Sequence, residues 1–204
     1  MLGRERPVVV AVCGSPGAGK TTVAIASARR LGLPLLTRDE LKAGLGLSSA
    51  SVTHGGGVQL DSDFHIAGGP FSLRAEAVMA DAARLFATAR VSFVVESSVL
   101  SHRLLDALIT CGARVLAVHV VADEAVIRDR LRARAVSGAA VDQQLESQFQ
   151  RGDMKRSIFE PPDGVDAVVE VDTSGHGDPV IEPIEEAVLT LLRSTPDRTF
   201  RSRR

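Results

Sequence analysis

The densest chemistry in the chain lies in one run, Gly14-Ser15-Pro16-Gly17-Ala18-Gly19-Lys20-Thr21. It matches G-x-x-x-x-G-K-[ST], a pattern whose glycines let successive backbone N–H groups turn inward and form a nest for a phosphate. A helix opening just behind the nest adds partial positive charge at the same point. Lys20 has the reach to bridge β- and γ-phosphates, and the Thr21 hydroxyl is suited to ligate Mg²⁺. Thr22 continues the same helix start. The pattern carries meaning only between a strand and a helix. Here the apolar run 7–13 precedes it and the helix-favouring run 22–31 follows. The ligand these residues imply is ATP or GTP with Mg²⁺.

Four further sets of residues could act on a bound nucleotide. Asp39, in Leu36-Thr37-Arg38-Asp39-Glu40-Leu41-Lys42, follows a short apolar run and opens a helix. Its plainer reading is an acid favoured by the helix dipole. Its functional reading is a carboxylate beside the γ-phosphate that accepts a proton from an attacking hydroxyl, with Lys42 one turn on to orient it or hold a substrate anion. Glu96 ends the apolar strand 91–96 and suits a magnesium- or substrate-orienting acid, against a solvated acid at a strand end. Arg103 offers a guanidinium to a substrate or phosphate, or is an exposed helix arginine. Arg128, Arg130, Arg132 and Arg134 alternate along one helical pattern. Each i, i+4 pair shares a face, which groups Arg130 with Arg134 and Arg128 with Arg132.

The elements that must position these groups alternate as strand and helix. That order predicts a three-layer α/β/α fold on a five-stranded parallel sheet, with the nucleotide at the carboxyl ends of the strands. The strands are expected at 8–13, 33–36, 91–96, 114–121 and 167–171, and the helices at 19–31, 38–43, 73–89, 102–111, 124–135, 141–150 and 182–192. A Gly- and Ser-rich stretch, 44–70, is too long for a simple connection, so it is expected to be functional or mobile. Within it His54 and His65, with Asp61 and Asp63, read better as a solvated loop than as substrate ligands. The stretch 137–162, with Arg151, Lys155 and Arg156, is expected to form a helical lid inserted in a single domain spanning 1–193. The arginine-rich tail 194–204 is expected to be disordered.

Composition narrows the partners. The net charge of −1 provides no basic field for nucleic acid, and with neither Trp nor Tyr there are few platforms for base stacking. The five histidines lack HxH or HExxH spacing, which argues against zinc. Cys13 and Cys111 are read as packed thiols in a reducing compartment. No apolar run is long enough for a signal peptide or a membrane span, so a cytoplasmic protein without membrane partners is expected. Oligomeric state is not legible.

Two motifs carry a family resemblance. G-S-P-G-A-G-K-T followed by L-P-L-L-T-R-D-E-L-K resembles the small P-loop kinases grouped with polynucleotide kinase and zeta toxins, in which the matching stretch reads N-R-D-D-Y-R. The resemblance makes Asp39 the general base and sets Lys42 in the place of a substrate-side arginine. Related kinases often carry Asp where Glu96 stands. V-A-D-E-A-V-I-R-D-R-L-R-A-R resembles the segment before the lid in adenylate kinases, where one arginine stacks on the base and the next reaches phosphate. Aligning the D-R pairs gives these roles to Arg130 and Arg134. E-V-D-T-S is similar to the E-V-D-T-T of chloramphenicol phosphotransferase, and the loop carrying Thr173 would border the nucleotide base. The resemblance spans roughly residues 8–192. It implies a kinase that moves the γ-phosphoryl of ATP or GTP to a hydroxyl of a small molecule, an antibiotic or nucleoside-like compound among the candidates. A polynucleotide 5′-hydroxyl kinase and an NTPase or nucleotide-dependent switch are the alternatives.

Overall fold

Val8–Cys13 forms β1, and every one of its side chains is buried. A run of β-branched residues buried on both faces is what a central parallel strand requires. The structure is a computed structural model that describes residues 6–66, 68–136, 140–175 and 177–194. Residues 137–139 at the start of the expected lid, His176, and residues 195–204 of the expected tail lie outside those described.

The remaining elements follow the predicted alternation. They are α1 (Lys20–Leu31), β2 (Leu35–Thr37), α2 (Arg38–Ser48), β3 (Ser51–Val52), β4 (Val58–Gln59), α3 (Pro70–Thr88), β5 (Phe93–Glu96), α4 (His102–Thr110), β6 (Arg114–Val121), α5 (Glu124–Val136), α6 (Ala140–Gln150), β7 (Ala167–Asp172) and α7 (Glu182–Arg193). Two 3₁₀ turns, Ser62–His65 and Arg156–Phe159, complete them. The main sheet has five parallel strands in the order β2-β5-β1-β6-β7.

Alternate β1 side chains feed two cores. Val8, Val10 and Val12 pack with Val23 and Ala24 of α1 and Ile184 and Val188 of α7. Val9, Ala11 and Cys13 pack with Met79 and Ala83 of α3 and Leu104 and Leu108 of α4. The three layers expected from sequence are therefore present. A smaller cluster, Ile127 and Leu131 with Leu145 and Phe149, joins α5 to α6 and gives the segment after β6 its own core. Among the described residues no helix is long and apolar enough to cross a membrane.

The expected loop 44–70 is corrected in part. Helix α2 runs on to Ser48, five residues past the expected end at Ala43. Gly44 and Gly46 look like helix breakers in sequence, but Gly46 is buried and a Cβ built there would run into the Phe64 ring. Tertiary packing thus overrides the weak local propensity. Beyond α2, β3 and β4 pair as an exposed antiparallel hairpin closed over Thr53–Gly57. The turn at Ser62–His65 is capped by Asp61, whose carboxylate accepts from the Asp63 amide at 2.9 Å.

Candidate active site

The phosphate loop sits where β1 ends and α1 begins, held by its neighbours from several sides. The Gly14 amide donates to the Ser98 carbonyl at 3.2 Å, tying the loop to the segment after β5. Gly14 has φ +141°, and a Cβ there would collide with the Val120 carbonyl on β6. Gly17 has φ +82° and lies against Ile127 and Leu131 of α5, so that a Cβ there would be crowded at 3.2 Å from both. The loop is thus wedged between two strands and a helix, and the left-handed backbone at both positions favours glycine.

Lys20 opens α1 and is only 8% exposed. Its Nζ donates to the Ser15 carbonyl at 2.9 Å, so the ammonium is folded over the nest. Burial lowers its pKa to about 8, while Glu96 and Asp39 pull it back up. Glu96 lies in register with Val12 on one side and Thr37 on the other, at the carboxyl end of the sheet. At 4% exposure it is not the solvated strand-end acid its position allowed. Burial raises its pKa and Lys20 opposes the rise. Cys13, next to the loop, has its thiol pushed up to about 12 by burial, which makes it a packing group rather than a nucleophile.

Thr37 ends β2 and caps α2, its Oγ1 accepting from the Glu40 amide at 3.2 Å. This cap aims the first turn of α2 across the strand ends. Asp39 is thereby held in an exposed position, with Arg38 Nη2 3.8 Å from its Oδ1. Asp39, Lys20, Thr21 and Glu96 all border one cavity of about 340 Å³. Lys42, one turn further along α2, borders it too and is buried.

The far wall of the cavity comes from residues that belong to no motif in the sequence. Phe64 and His65 of the 3₁₀ turn and Ser72 of α3 line it. Phe64 meets Phe71 edge-on at 5.7 Å between ring centres, and Lys42 Nζ stands 5.4 Å from its centre. Val141, Asp142 and Leu145 of α6 close the cavity from the lid side, and Arg134 enters it from α5. His65, for which a solvated loop is the plainer expectation, faces this cavity, whereas His54 stays on the exposed hairpin.

The register of the arginines is visible in the fold. Arg130 donates through Nη1 to the Gly17 carbonyl at 3.3 Å and to Thr173 Oγ1 at 3.1 Å, and through Nη2 to the Thr173 carbonyl at 2.7 Å. Thr173 Oγ1 in turn donates to the Ala18 carbonyl at 2.6 Å. Arg130, Arg134, Thr22 and Thr173 line a second hollow of about 170 Å³ behind the loop. Arg132 instead pairs with Glu146 of α6 at 4.0 Å, and Arg128 is exposed. The pair facing the phosphate loop is therefore 130/134 and not 128/132.

Arg103 is the candidate that the fold does not bring to the site. It is exposed on α4 and lines neither hollow. The strongly amphipathic helix turns Leu104, Leu105, Ala107 and Leu108 into the core, which leaves Arg103 on the outer face. Among the described residues no three His, Cys, Asp or Glu side chains converge on one point. The Thr21 hydroxyl, which borders the cavity, is a hard oxygen donor that could hold a magnesium ion.

Comparison with known proteins agrees with this geometry. A family model described as an AAA domain matches residues 9–161. No curated protein sequence matches the chain. Among solved structures, an inferred kinase from Chloroflexus aurantiacus J-10-fl superposes with a TM-score of 0.69 at 21% identity, covering 91% of this chain and 98% of that one. The Mycobacterium tuberculosis APS kinase, solved in complex with AMPPNP and APS, gives a TM-score of 0.52 at 18% identity over 93% and 99% of the two chains. A sugar kinase from Janibacter sp. HTCC2649 gives 0.51 at 20% identity over 91% and 94%. At these identities the likeness establishes a shared fold.

Proposed function

The chain belongs to the AAA-domain family, and on that premise we propose that it is a magnesium-dependent kinase acting on a small-molecule alcohol. The observation that carries the reading is the sharing of one cavity by a phosphate loop with its buried lysine, a carboxylate at the start of α2, and a separate wall outside the loop. An NTPase needs the first part only. The separate wall leaves space for a second substrate. The kinase names among the structural neighbours support the same reading.

In the proposed reaction the loop amides and Lys20 hold the β- and γ-phosphates of ATP or GTP. Bound Mg²⁺, ligated by Thr21, would neutralise charge on the phosphates as the phosphoryl group moves. Asp39 accepts the proton of the acceptor hydroxyl, whose oxygen forms a bond to the γ-phosphorus. The bond from that phosphorus to the β,γ-bridging oxygen breaks, giving the nucleoside diphosphate and a phosphate monoester. Glu96 would orient the acceptor or support the bound magnesium. Arg134 stabilises charge on the transferring group, and Arg130 with Thr173 builds the base side of the nucleotide site. The lid is the expected segment 137–162, which carries α6, and its closure toward Arg134 of α5 would exclude water.

The test is transfer from γ-labelled ATP and GTP with Mg²⁺ to sugars, nucleosides, aminoglycosides, phenicols and 5′-hydroxyl oligonucleotides. A labelled small molecule is the expected product. Label on oligonucleotides alone would replace this reading with a polynucleotide 5′-hydroxyl kinase. Free phosphate alone, at a rate unaffected by Asp39→Asn, would replace it with an NTPase or switch.

A further inference from the structure

Two cations on the acceptor wall share a single loose ion-pair contact, between Arg38 and Asp39. Arg38 and Lys42 are four residues apart on α2, hence on one face, and both line the cavity. Lys42 is 9% exposed. Its Nζ donates to the Ile66 carbonyl at 3.3 Å and faces the Phe64 ring, and among the described residues it forms no ion pair. Burial accordingly lowers its pKa. Arg38 has only the loose 3.8 Å contact with Asp39, and its Nε is buried without a hydrogen-bond partner. Buried charges are normally paired, because an unpaired one loses its hydration without compensation. A guanidinium and an ammonium side by side on one cavity wall present N–H groups fitted to an oxyanion.

Resting on the kinase reading above, we propose that the acceptor is a compact hydroxyl compound that also carries an oxyanion (carboxylate, sulfate or phosphate), held by Arg38 and Lys42 with its carbon skeleton against Phe64. The oxyanion fills the side of the cavity away from the phosphate loop. The reactive hydroxyl is thereby directed toward Asp39, which sits between the two cations in sequence and borders the same cavity as Lys20. Phe64 is fixed for this contact by Gly46 beneath it and Phe71 at its edge. A neutral alcohol of the same skeleton would add no anion to the loose contact with Asp39 and would bind more weakly.

The experiment compares matched pairs: gluconate and sorbitol, glycerate and glycerol, glucose 6-phosphate and glucose, adenosine 5′-phosphate and adenosine. Binding to the full chain is measured by calorimetry with the phosphate loop filled by Mg²⁺ and a non-hydrolysable ATP analogue, so that anions cannot report on the loop. Transfer from labelled ATP is measured in parallel. The expected result is that at least one anionic member binds about tenfold or more tightly than its neutral twin, the size of a charge-assisted hydrogen bond. Arg38→Gln and Lys42→Met should each remove most of that preference with affinity for the ATP analogue kept. Lys42→Arg should retain it. Thermal melts with the analogue show whether each variant is folded, and Lys42→Arg answers for the site if Lys42→Met is not. Equal binding of both twins in every pair, or a preference that survives in Arg38→Gln and Lys42→Met, would overturn the inference. Transfer to neutral alcohols alone would leave the kinase reading standing and remove this one. Anion binding that depends on both residues, without transfer to any acceptor, would do the reverse.

Discussion

The two halves of the cavity are built from different materials. On the side proposed for the nucleotide the structure is mostly backbone: a glycine loop whose carbonyls are tied down by Arg130 and Thr173, and a lysine folded onto the Ser15 carbonyl. On the acceptor side it is side chains from α2, a 3₁₀ turn, α3 and α6, elements distant in sequence. A backbone nest needs particular residue types at fixed spacing, because only glycine tolerates its dihedral angles without strain. A wall of side chains needs only that the right atoms meet, and many sequences achieve that. The donor half therefore reads as a motif and the acceptor half does not.

The comparison can be broken most sharply at Asp39, where the halves meet. Asp39→Asn should cut turnover by about two to four decades with nucleotide affinity kept, the loss expected for a general base. Intact turnover would mean that the halves are not coupled through this carboxylate. On the donor side, Gly14→Ala should destabilise the fold by about 2–4 kcal/mol in a chemical melt, since a Cβ meets the Val120 carbonyl and the backbone has φ +141°. An unchanged melt would show that the loop is less tightly wedged than its neighbours imply.

Lys20 makes the donor side sensitive to pH. Its pKa in the free protein is lowered to about 8, and bound phosphates favour the charged form. Below pH 8 the ammonium is already charged, so affinity is full. As pH rises above 8 each unit should weaken nucleotide binding by up to about tenfold, until the pKa in the complex is reached. Titration of ATP affinity in the wild type and Lys20→Gln tests this, and only the wild type should show the slope.

Arg130→Ala should raise the nucleotide KM by about tenfold and change acceptor KM little, because its hydrogen bonds all lie on the loop and Thr173. The smallest effect expected is on the acceptor side. Gly46→Ala gains up to about 1 kcal/mol of helix propensity but must displace Phe64. Acceptor KM should rise several-fold with nucleotide KM and melting temperature nearly unchanged. Equal changes in both KM values would show that the two walls move as one.

The alternation of five parallel strands with helices was legible because its main elements stand out as apolar runs, as in the all-apolar β1. The phosphate loop, Asp39 and the arginine-bearing helix were legible for the same local reason, although the arginine register was not. A helix of alternating arginines has two equivalent faces in sequence, and only packing of Ile127 and Leu131 against the loop selects 130 and 134. Arg103 failed as a candidate because its neighbours in sequence, Leu104 and Leu105, needed the core more than the site needed a charge.

The amino-acid order by itself determined the donor chemistry: a strand, a nest of glycines, a lysine and a hydroxyl specify a phosphate site through local backbone geometry. Tertiary structure decided the wall of the cavity proposed for the acceptor. Gly46 looks like a helix breaker until Phe64 packs on it, and Phe64 is a loop aromatic until Lys42 and Phe71 surround it. Arg38 is one of many arginines until burial leaves its Nε unpartnered. None of these facts has a sequence period, because each depends on desolvation by residues tens of positions away.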